Sequence, residues 1–545
     1  MSKNNLSKIL SFIALSLFTA LGIGCGSRER PADVAAEEGI LIWANGTEPV
    51  GIDPHVVTGV PENRIISTLL EGLISYHPTD DNIPEPGVAE RWESNEDYSV
   101  WTFYLREDAQ WSNGDPVTAQ DFVYSWNRML SPPFGAKYAE MLYVLKNGEA
   151  FHQGEIEDFA QVGVQAVNPK TLRVTLEGPT PHFPLMLKHY SFFPVHPPTI
   201  EKYGGMNELA NNWTREEYVG NGPFTFAEWT PNQIVRVVKS ETYWDRDTVQ
   251  LNEVHFRPID NANTEEAAFR NKEVHITNTV PPSKIQGYRL NNPDLIRIDP
   301  YLGIYYYRFN TTRPPLDNPL VRQALSLSID REQIVETITR GEQIPASGFT
   351  PPGMEGYESP GDIQFNPQKA KQLLAEAGYP DGEGLPEVEI LYNTLEAHRD
   401  IAEAIQNMWQ EVLGVEARLL NQEWKVYIPS MQNLEYDIAR AGWIGDFMDP
   451  ITFLSMWTTG NGNNNTGWAS PEFDALIREI QRTGDEAERT KLLEQAEQKM
   501  LDAHIVAPIY WYSRIYLIDP RVRGWHPKRL DNHPIKYVYF EESTG

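Results

Sequence analysis

Strand and helix signals alternate between residues 366 and 398, and this alternation limits the fold more than any other feature of the sequence. The helix predicted from residue 366 begins with Asn-Pro and ends at Gly378, because Asn caps helix starts and Gly helix ends. The apolar run 388–392 predicts a strand, and His398 opens the helix behind it. This order predicts an α/β lobe with parallel strands, whose ligand cleft forms at the carboxyl ends of those strands.

Residues 436–450 combine a strand pattern with side chains suited to a charged, elongated ligand. The stretch begins as an apolar/polar alternation and contains two glycines, which let another backbone approach closely. Trp443 offers a flat apolar wall, Arg440 a positive charge and Asp446 a negative one. An extended chain rises about 3.3 Å per residue, so Arg440 and Asp446 lie at most about 20 Å apart. A short extended peptide, with its ammonium and carboxylate at opposite ends, fits within that span.

The first 24 residues have the pattern of an export signal. Lys3 and Lys8 precede the apolar run 9–23, and small residues follow it. This run is shorter than the stretch of about 20 apolar residues that a transmembrane helix needs. The sequence therefore predicts a signal peptide over residues 1–24.

Cys25 follows this signal and is the only cysteine of the chain. Residues 21–25, Leu-Gly-Ile-Gly-Cys, resemble a lipobox, with Gly in place of the usual Leu three residues before the cysteine. We expect acylation of Cys25, with two or three acyl chains for stable anchoring, and a polar tether over 25–39. A cleaved signal with an unmodified Cys25 is the alternative.

Charge, cysteine content and motifs argue against several functional classes. The formal net charge is −30 at pH 7, whereas nucleic acid and anionic lipid headgroups attract basic surfaces, so we expect no nucleic-acid partner. A single cysteine allows neither an intramolecular disulfide nor a cysteine zinc cluster. The 12 histidines show no metal-ligand spacing. The motifs G-x-S-x-G, G-x-x-x-x-G-K and H-E-x-x-H are missing from the sequence. We therefore expect no cofactor, no metal and no catalytic residue.

Two stretches carry a resemblance to a known family. Residues 111–122, Trp-Ser-Asn-Gly-Asp-Pro-Val-Thr-Ala-Gln-Asp-Phe, combine an Asn-Gly turn with Thr118 as the cap of a helix. Residues 421–446, from Asn-Gln-Glu-Trp-Lys through Ala-Arg-Ala-Gly-Trp to Asp446, resemble the cleft region of the oligopeptide-binding proteins of bacterial ABC importers. The similarity extends over nearly the whole mature chain. The sequence thus resembles the extracellular solute-binding proteins of family 5.

This resemblance implies a fold and a domain plan. The implied fold is α/β and periplasmic-binding-protein-like, with two large lobes around a ligand cleft and a third, smaller, inserted domain. Three parts are expected: lobe I (40–73, 198–300 and 514–545), domain II (74–197) and lobe III (301–513). Solute would bind between lobes I and III, which close about a hinge.

The resemblance also implies roles for residues at the cleft. Asp446 would meet the ligand ammonium, and Arg440 and His398 would take its carboxylate according to peptide length. Ligand main chain would pair with backbone near 59–62 and 441–444.

Further residues complete the implied site. Trp424 and Trp443 would wall the side-chain pockets, and Tyr138 would lie beside the ligand backbone. The position of Thr58 is commonly acidic in relatives that grip the ammonium with two carboxylates, so this chain lacks one of the two. The full set of expected ligand-binding residues is Thr58, Val60, Glu62, Tyr138, His398, Trp424, Arg440, Gly442, Trp443, Ile444 and Asp446.

The resulting hypothesis is a substrate-binding lipoprotein and not an enzyme. It would capture extended oligopeptides and deliver them to an ABC permease and ATPase complex. We expect a monomer that is exported to the cell envelope and anchored at Cys25 on the periplasmic or extracellular face. Three alternatives stay open: the same fold with another solute (murein peptide, signalling peptide, nickel chelate or haem), a cell-surface hydrolase with paired carboxylates, or a sensory receptor that delivers no cargo.

Overall fold

The computed structural model describes residues 30–209 and 212–541, which form three larger β-sheets surrounded by helices. The predicted signal peptide and Cys25 lie outside the described residues. The strands are β1 (Ile40–Ala44), β2 (Ile74–Tyr76), β3 (Pro84–Pro86), β4 (Ala89–Ser94), β5 (Val100–Leu105), β6 (Val164–Asn168), β7 (Thr171–Thr175), β8 (Phe224–Thr230), β9 (Ile234–Lys239), β10 (Glu253–Arg257), β11 (Ile296–Phe309), β12 (Ile344–Pro345), β13 (Val388–Asn393), β14 (Ala417–Gln422), β15 (Ile438–Ile444), β16 (Val506–Leu517), β17 (Val522–Arg523) and β18 (Tyr539–Phe540).

Seventeen α-helices occur in the described ranges. They are α1 (Pro31–Glu37), α2 (Val60–Leu69), α3 (Ala119–Leu130), α4 (Gly148–His152), α5 (Phe183–Met186), α6 (Pro197–Lys202), α7 (Trp213–Glu216), α8 (Ala262–Arg270), α9 (Pro282–Asn291), α10 (Pro319–Leu327), α11 (Arg331–Ile334), α12 (Pro367–Glu376), α13 (Glu396–Leu413), α14 (Trp424–Gln432), α15 (Ile451–Leu454), α16 (Pro471–Arg482) and α17 (Glu486–Asp502). None of these helices has both the length and the apolar character that a membrane crossing requires.

The three larger sheets follow the expected α/β class. One four-stranded sheet has the order β1-β10-β9-β8 and a second has the order β4-β5-β7-β6. The six-stranded sheet has the order β12-β16-β11-β15-β13-β14. Strand β13 is parallel to β14 and β15, as the alternation predicts, whereas β11 is antiparallel to β15 and β16. Helices α13 and α14 connect β13, β14 and β15, as a crossover between parallel strands requires.

Strands β11 and β16 form one long antiparallel pair that runs through two parts of the molecule. Residues 296–300 of β11 pair with 513–517 of β16, and residues 304–308 pair with 506–511. The register shifts between Pro300 and Ile304. Such irregularities bend a strand pair, so two continuous strands connect the residues assigned to lobe I with those assigned to lobe III and turn between them.

Helix starts follow the capping patterns in the sequence. Asn318 and Asn366 precede α10 and α12, and each accepts a hydrogen bond from a first-turn amide. Helix α3 begins after Thr118, whose amide donates to Oδ2 of Asp121 at 2.9 Å. These local signals therefore place three helix starts correctly.

Helix α1 corrects part of the predicted tether over 25–39. Ala32, in this helix, is fully buried. Its amide donates to the carbonyl oxygen of Lys272 at 2.8 Å, and Nε2 of His275 lies 2.7 Å from its carbonyl oxygen. The small alanine side chain allows this close packing, and the proline at the first position favours a helix start. Over α1 the chain belongs to the folded body, so the prediction of a tether does not hold there.

A buried ion cluster joins the C-terminal segment to α2 and β16. Asp531 Oδ2 accepts from Nη2 of Arg64 at 2.9 Å and from Nε of Arg514 at 2.8 Å. Nε2 of His533 lies 3.0 Å from Oδ1. Burial raises the pKa of Asp531, but Arg514, His533 and Arg64 outweigh it, so the net pKa lies well below its usual range. The carboxylate is therefore the counterion of two buried guanidiniums.

Asp531→Ala should lower the free energy of unfolding by about 3–5 kcal/mol, because it leaves two buried cations without their carboxylate. Urea denaturation followed by circular dichroism measures this loss. The matched control is Glu541→Ala, which removes the carboxylate of the exposed pair with Arg523 and should cost under about 1 kcal/mol. Equal losses in the two variants would contradict the role assigned to Asp531.

Candidate functional site

A cavity of about 330 Å³ lies beside the large sheet, at the carboxyl ends of β13, β14 and β15. This is the position predicted for a cleft in an α/β lobe. Its opposite wall comes from the N-terminal turn of α2 and from α8 and α9. The predicted residues that line it are Val60, His398, Trp424, Arg440, Gly442 and Ile444.

Arg440 presents to this cavity a guanidinium with neutral partners. Nη1 donates to Oδ1 of Asn393 at 3.1 Å, and Nη2 donates to Oη of Tyr512 at 2.7 Å. The guanidinium carbon lies 4.6 Å from the ring centroid of Tyr305. Among the described residues, Nε has no hydrogen-bond partner. No carboxylate oxygen of these residues lies within 4.0 Å of the guanidinium nitrogens, the limit for an ion pair. A half-buried cation in this state is suited to a ligand carboxylate, which can accept two of its N–H groups.

Gly442 makes the contact between Arg440 and Tyr512 sterically feasible. A Cβ atom at Gly442 would lie 2.8 Å from Oη of Tyr512 and 3.3 Å from Nη2 of Arg440. The sequence predicts close approach at this glycine, and the structure identifies the Tyr512 hydroxyl as the group that approaches.

His398 lies close to Arg440 in the first turn of α13. Its side chain is buried, and Nδ1 has no hydrogen-bond partner within the part of the chain that the structure describes. Burial, followed by the positive charge of Arg440, holds the pKa of His398 well below its usual range. The imidazole is therefore neutral near pH 7, and it can offer a ligand carboxylate an N–H group but no charge. Leu395 precedes α13 without a side-chain cap, so the helix dipole adds positive potential at this wall.

Asp446 lies in a separate buried cluster and does not line the cavity. Its Oδ1 accepts from Oη of Tyr138 at 3.2 Å, and its Oδ2 accepts from Oγ1 of Thr452 at 2.9 Å. Nε2 of His189 lies 3.3 Å from Oδ1. Over the described ranges, no lysine or arginine forms an ion pair with this carboxylate. Burial raises the pKa of Asp446 to about 7, and the hydrogen bonds from Thr452 and Tyr138 oppose that rise.

Strand alternation explains why the predicted residues separate into two groups. Arg440, Gly442 and Ile444 are two residues apart on β15 and share the face towards the cavity. Trp443 points to the other face, where its indole N–H donates to the carbonyl oxygen of Thr452 at 2.8 Å. Its ring centroid lies 6.1 Å from that of Tyr138. Trp443 therefore packs against the Asp446 cluster, whereas Trp424, the other tryptophan predicted to wall the side-chain pockets, lines the cavity.

The corner at residues 58–62 contributes Val60 to the cavity, whereas Glu62 is fully buried and Thr58 half-buried. Oε1 of Glu62 accepts from the Val50 amide at 2.8 Å and from the indole Nε1 of Trp424 at 3.4 Å. Burial raises the pKa of Glu62 to about 7, against the effect of these bonds. The Glu62 carboxyl group thus contacts protein groups from two sides of the cavity.

Sequence reasoning missed several groups at the site. Tyr512 could have been found, because alternation in β16 places Tyr510 and Tyr512 on one face, and both line the cavity. His189 and Thr452 carried no sequence signal. They come from other segments, and tertiary packing alone brings them to Asp446.

Comparisons with known proteins place this geometry in context. The family model for "Bacterial extracellular solute-binding proteins, family 5 Middle" matches residues 84–465. The chain is 37% identical over 497 residues to the oligopeptide-binding protein OppA of Bacillus subtilis (strain 168), with 88% of each chain covered. A crystal structure of Haemophilus influenzae OppA in complex with RPPGFSPFR is 33% identical, with a TM-score of 0.88 over 92% of this chain and 99% of that one.

A third relative shows that the arrangement of the lobes varies among similar chains. The periplasmic murein tripeptide binding protein MppA in its unliganded open form is 34% identical, over 93% of this chain and 98% of that one, yet its TM-score is 0.61. Identity and coverage match those of the OppA complex, so the lower TM-score reflects a different arrangement of the parts. The structure described above is therefore more similar to that OppA complex than to the unliganded open form of MppA. By the matched family model and the extent of these similarities, the chain belongs to the bacterial extracellular solute-binding proteins, family 5.

Proposed function

We propose that this chain is the substrate-binding component of a peptide ABC transporter. It captures extended oligopeptides between lobes I and III and delivers them to a permease and ATPase complex. The observation that carries the proposal is Arg440, a cation at the wall of an inter-lobe cavity that has no carboxylate partner among the described residues. Similarity to OppA proteins, one of them solved with RPPGFSPFR, supports the class of ligand.

Strand β15 offers an edge for the ligand main chain. It pairs with β11 along its whole length, but it pairs with β13 only at Ile438 and Ala439. Beyond Ala439, one edge of β15 is without a strand neighbour in the described chain, and this edge lies at the cavity. A peptide that adds there gains about 1 kcal/mol net per hydrogen bond, whatever its side chains. Such binding favours length and terminal charges over sequence.

Asp446 would bind the peptide ammonium, although here its carboxyl group lies in the buried cluster with Tyr138 and Thr452 and outside the cavity lining. This carboxylate is buried, and no lysine or arginine of the described residues pairs with it, so burial raises its pKa. A ligand ammonium supplies the missing charge. At about 4 Å and an effective dielectric constant near 20, the attraction is on the order of 4 kcal/mol before desolvation. Ligand binding and closure therefore favour one another.

Asp446→Ala should weaken binding of trialanine by about 1–4 kcal/mol, because the variant leaves the ligand ammonium without its carboxylate. N-acetylated trialanine has no ammonium and should lose much less. Isothermal titration calorimetry of both peptides with both proteins measures the difference. Equal losses for the two peptides would reject the assigned role.

Arg440→Ala should weaken binding of trialanine by about 1.5–3 kcal/mol, since charged hydrogen bonds to the terminal carboxylate are lost. Trialanine amide, which has no carboxylate, serves as the ligand control and should be affected less. Arg523→Ala serves as the protein control, because it removes a cation from an exposed pair remote from the cavity wall. A loss with the amide as large as with the acid would place the carboxylate elsewhere.

The proposal also includes the fate of the ligand and the place of the protein. The bound peptide is released unchanged, so overnight incubation followed by mass spectrometry should return intact peptide, and cleavage products would favour a hydrolase.

The monomeric chain is exported and acylated at Cys25 on the periplasmic or extracellular face. Cys25→Ala should move the protein from the membrane fraction to the soluble fraction of the cell envelope.

A further inference from the structure

Only one of the two carboxyl oxygens of Glu62 has hydrogen-bond partners among the described residues. Its side chain is fully buried at the start of α2, and Oε1 accepts from the Val50 amide at 2.8 Å. Oε2 has no hydrogen-bond partner within the described residues. A Cβ atom at Gly59 would lie 2.0 Å from Oε2, so this oxygen is packed against the Gly59 backbone. A buried carboxylate oxygen without a donor is costly, whereas a carboxylic acid is far less so.

Trp424 covers this carboxyl group from the opposite side of the cavity. Its indole Nε1 lies 3.4 Å from Oε1 of Glu62, and Cζ2 would lie 3.2 Å from a Cβ atom at Gly59. The ring stacks on Tyr427 with 5.9 Å between centroids, and the Tyr427 hydroxyl donates to the carbonyl oxygen of Arg440. Trp424 also lines the cavity. The contact with Glu62 therefore fixes a wall of the ligand site and is linked to β15.

The charged and titratable groups that face Glu62 do not neutralise it. Lys425, on α14, is the facing cation, but its Nζ pairs with Oε1 of Glu48 at 3.4 Å. Tyr190 faces Glu62 from domain II, and its hydroxyl donates to the carbonyl oxygen of Val57 at 3.1 Å. No lysine or arginine of the described segments lies within 4.0 Å of the Glu62 carboxyl group. Closure thus covers a carboxyl group that has no counterion.

We propose that Glu62 is a positioning residue for Trp424, and that closure of lobe III over lobe I takes up one proton at the Glu62 carboxyl group. This inference rests on the proposed function, because ligand binding is what drives closure. In the open arrangement Trp424 moves away with lobe III, and water reaches the carboxylate. In the closed arrangement the proton on Oε2 removes the uncompensated charge, while Oε1 keeps its bond to the indole. Glu62 itself touches no ligand.

The direction in which pH changes the ligand affinity follows from the higher proton affinity of the Glu62 carboxyl group in the closed arrangement. Burial raises the pKa of Glu62 from its ordinary 4.5 to about 7 in the closed arrangement. Between these two values the open form is ionised and the closed form protonated, so closure takes up a proton. This contribution is fully present below pH 4.5 and is lost as the pH rises through about 7. Between pH 6 and 8 it lowers the affinity for ligand by about tenfold.

Calorimetry with trialanine can count this proton. Titrations at pH 6 in phosphate and in imidazole buffer, whose ionisation enthalpies differ, give the number of protons taken up on binding. Glu62→Gln keeps the shape and the acceptor oxygen but cannot take up the proton. On binding trialanine, this variant should take up as much as about one proton fewer than wild type. The ratio of the wild-type affinity for trialanine to that of the variant should fall about tenfold between pH 6 and 8.

Two further variants make the test specific. Trp424→Ala removes the cover, so water keeps the carboxylate ionised, and the proton uptake should fall as in Glu62→Gln even where that variant folds poorly. Glu541→Gln is the control, because it removes a carboxylate charge from the exposed pair with Arg523 and leaves Lys425 paired with Glu48. It should leave the proton count at the wild-type value.

The outcomes separate this inference from the function on which it rests. Lower proton counts in Glu62→Gln and Trp424→Ala, with Glu541→Gln unchanged, support it. Equal counts in all four proteins, with peptide bound, overturn it and leave the proposed function intact. Failure of the wild-type protein to bind any peptide overturns the proposed function, and the inference falls with it.

Discussion

The pairing of β11 with β16 is the constraint on which the rest of the structure depends. These strands run continuously through the register shift near Pro300. They pair with each other on both sides of the shift, so one strand pair connects the two regions. The cavity lies next to this pair, with Tyr512 of β16 and Ile444 of β15 in its wall. A bend in two bonded strands moves whole lobes while each sheet stays intact. The cleft can therefore change width without any change in its lining strands.

Arg440 and Asp446 carry charges that no oppositely charged lysine, arginine or carboxylate side chain of the described residues balances. Arg440 has neutral neighbours, and Asp446 has hydroxyl groups and an imidazole around it. Structural ion pairs in the same molecule look different: Asp531 is shared by two arginines. A buried charge that served stability alone would have an oppositely charged side chain beside it, as Asp531 has. The unbalanced groups are therefore the residues at which the proposed peptide would supply the opposite charges.

Local sequence signals predicted what depends on neighbouring residues. Asn366 gave the start of a helix, and His398 was correctly placed behind a strand, because capping and periodicity are properties of short segments. The separation of Trp443 from the cavity was not predicted, although alternation along β15 places it on the face opposite to Arg440 and Gly442. The approach of His189 to Asp446 joins residues more than 250 positions apart. No single-sequence pattern encodes such a distance, and the family resemblance supplied roles but not contacts.

Helix α1 has a consequence for the geometry at the cell surface. The helix is fixed to the body from Pro31 onward, through the buried Ala32 and its contacts. Pro31 comes only six positions after Cys25, and a fully extended chain covers about 3.3–3.6 Å per residue. A lipid on Cys25 would thus hold the first folded element within about 20 Å of the bilayer. With so short a connection, the folded protein could still rotate above the proposed permease, but it would stay close to the membrane plane.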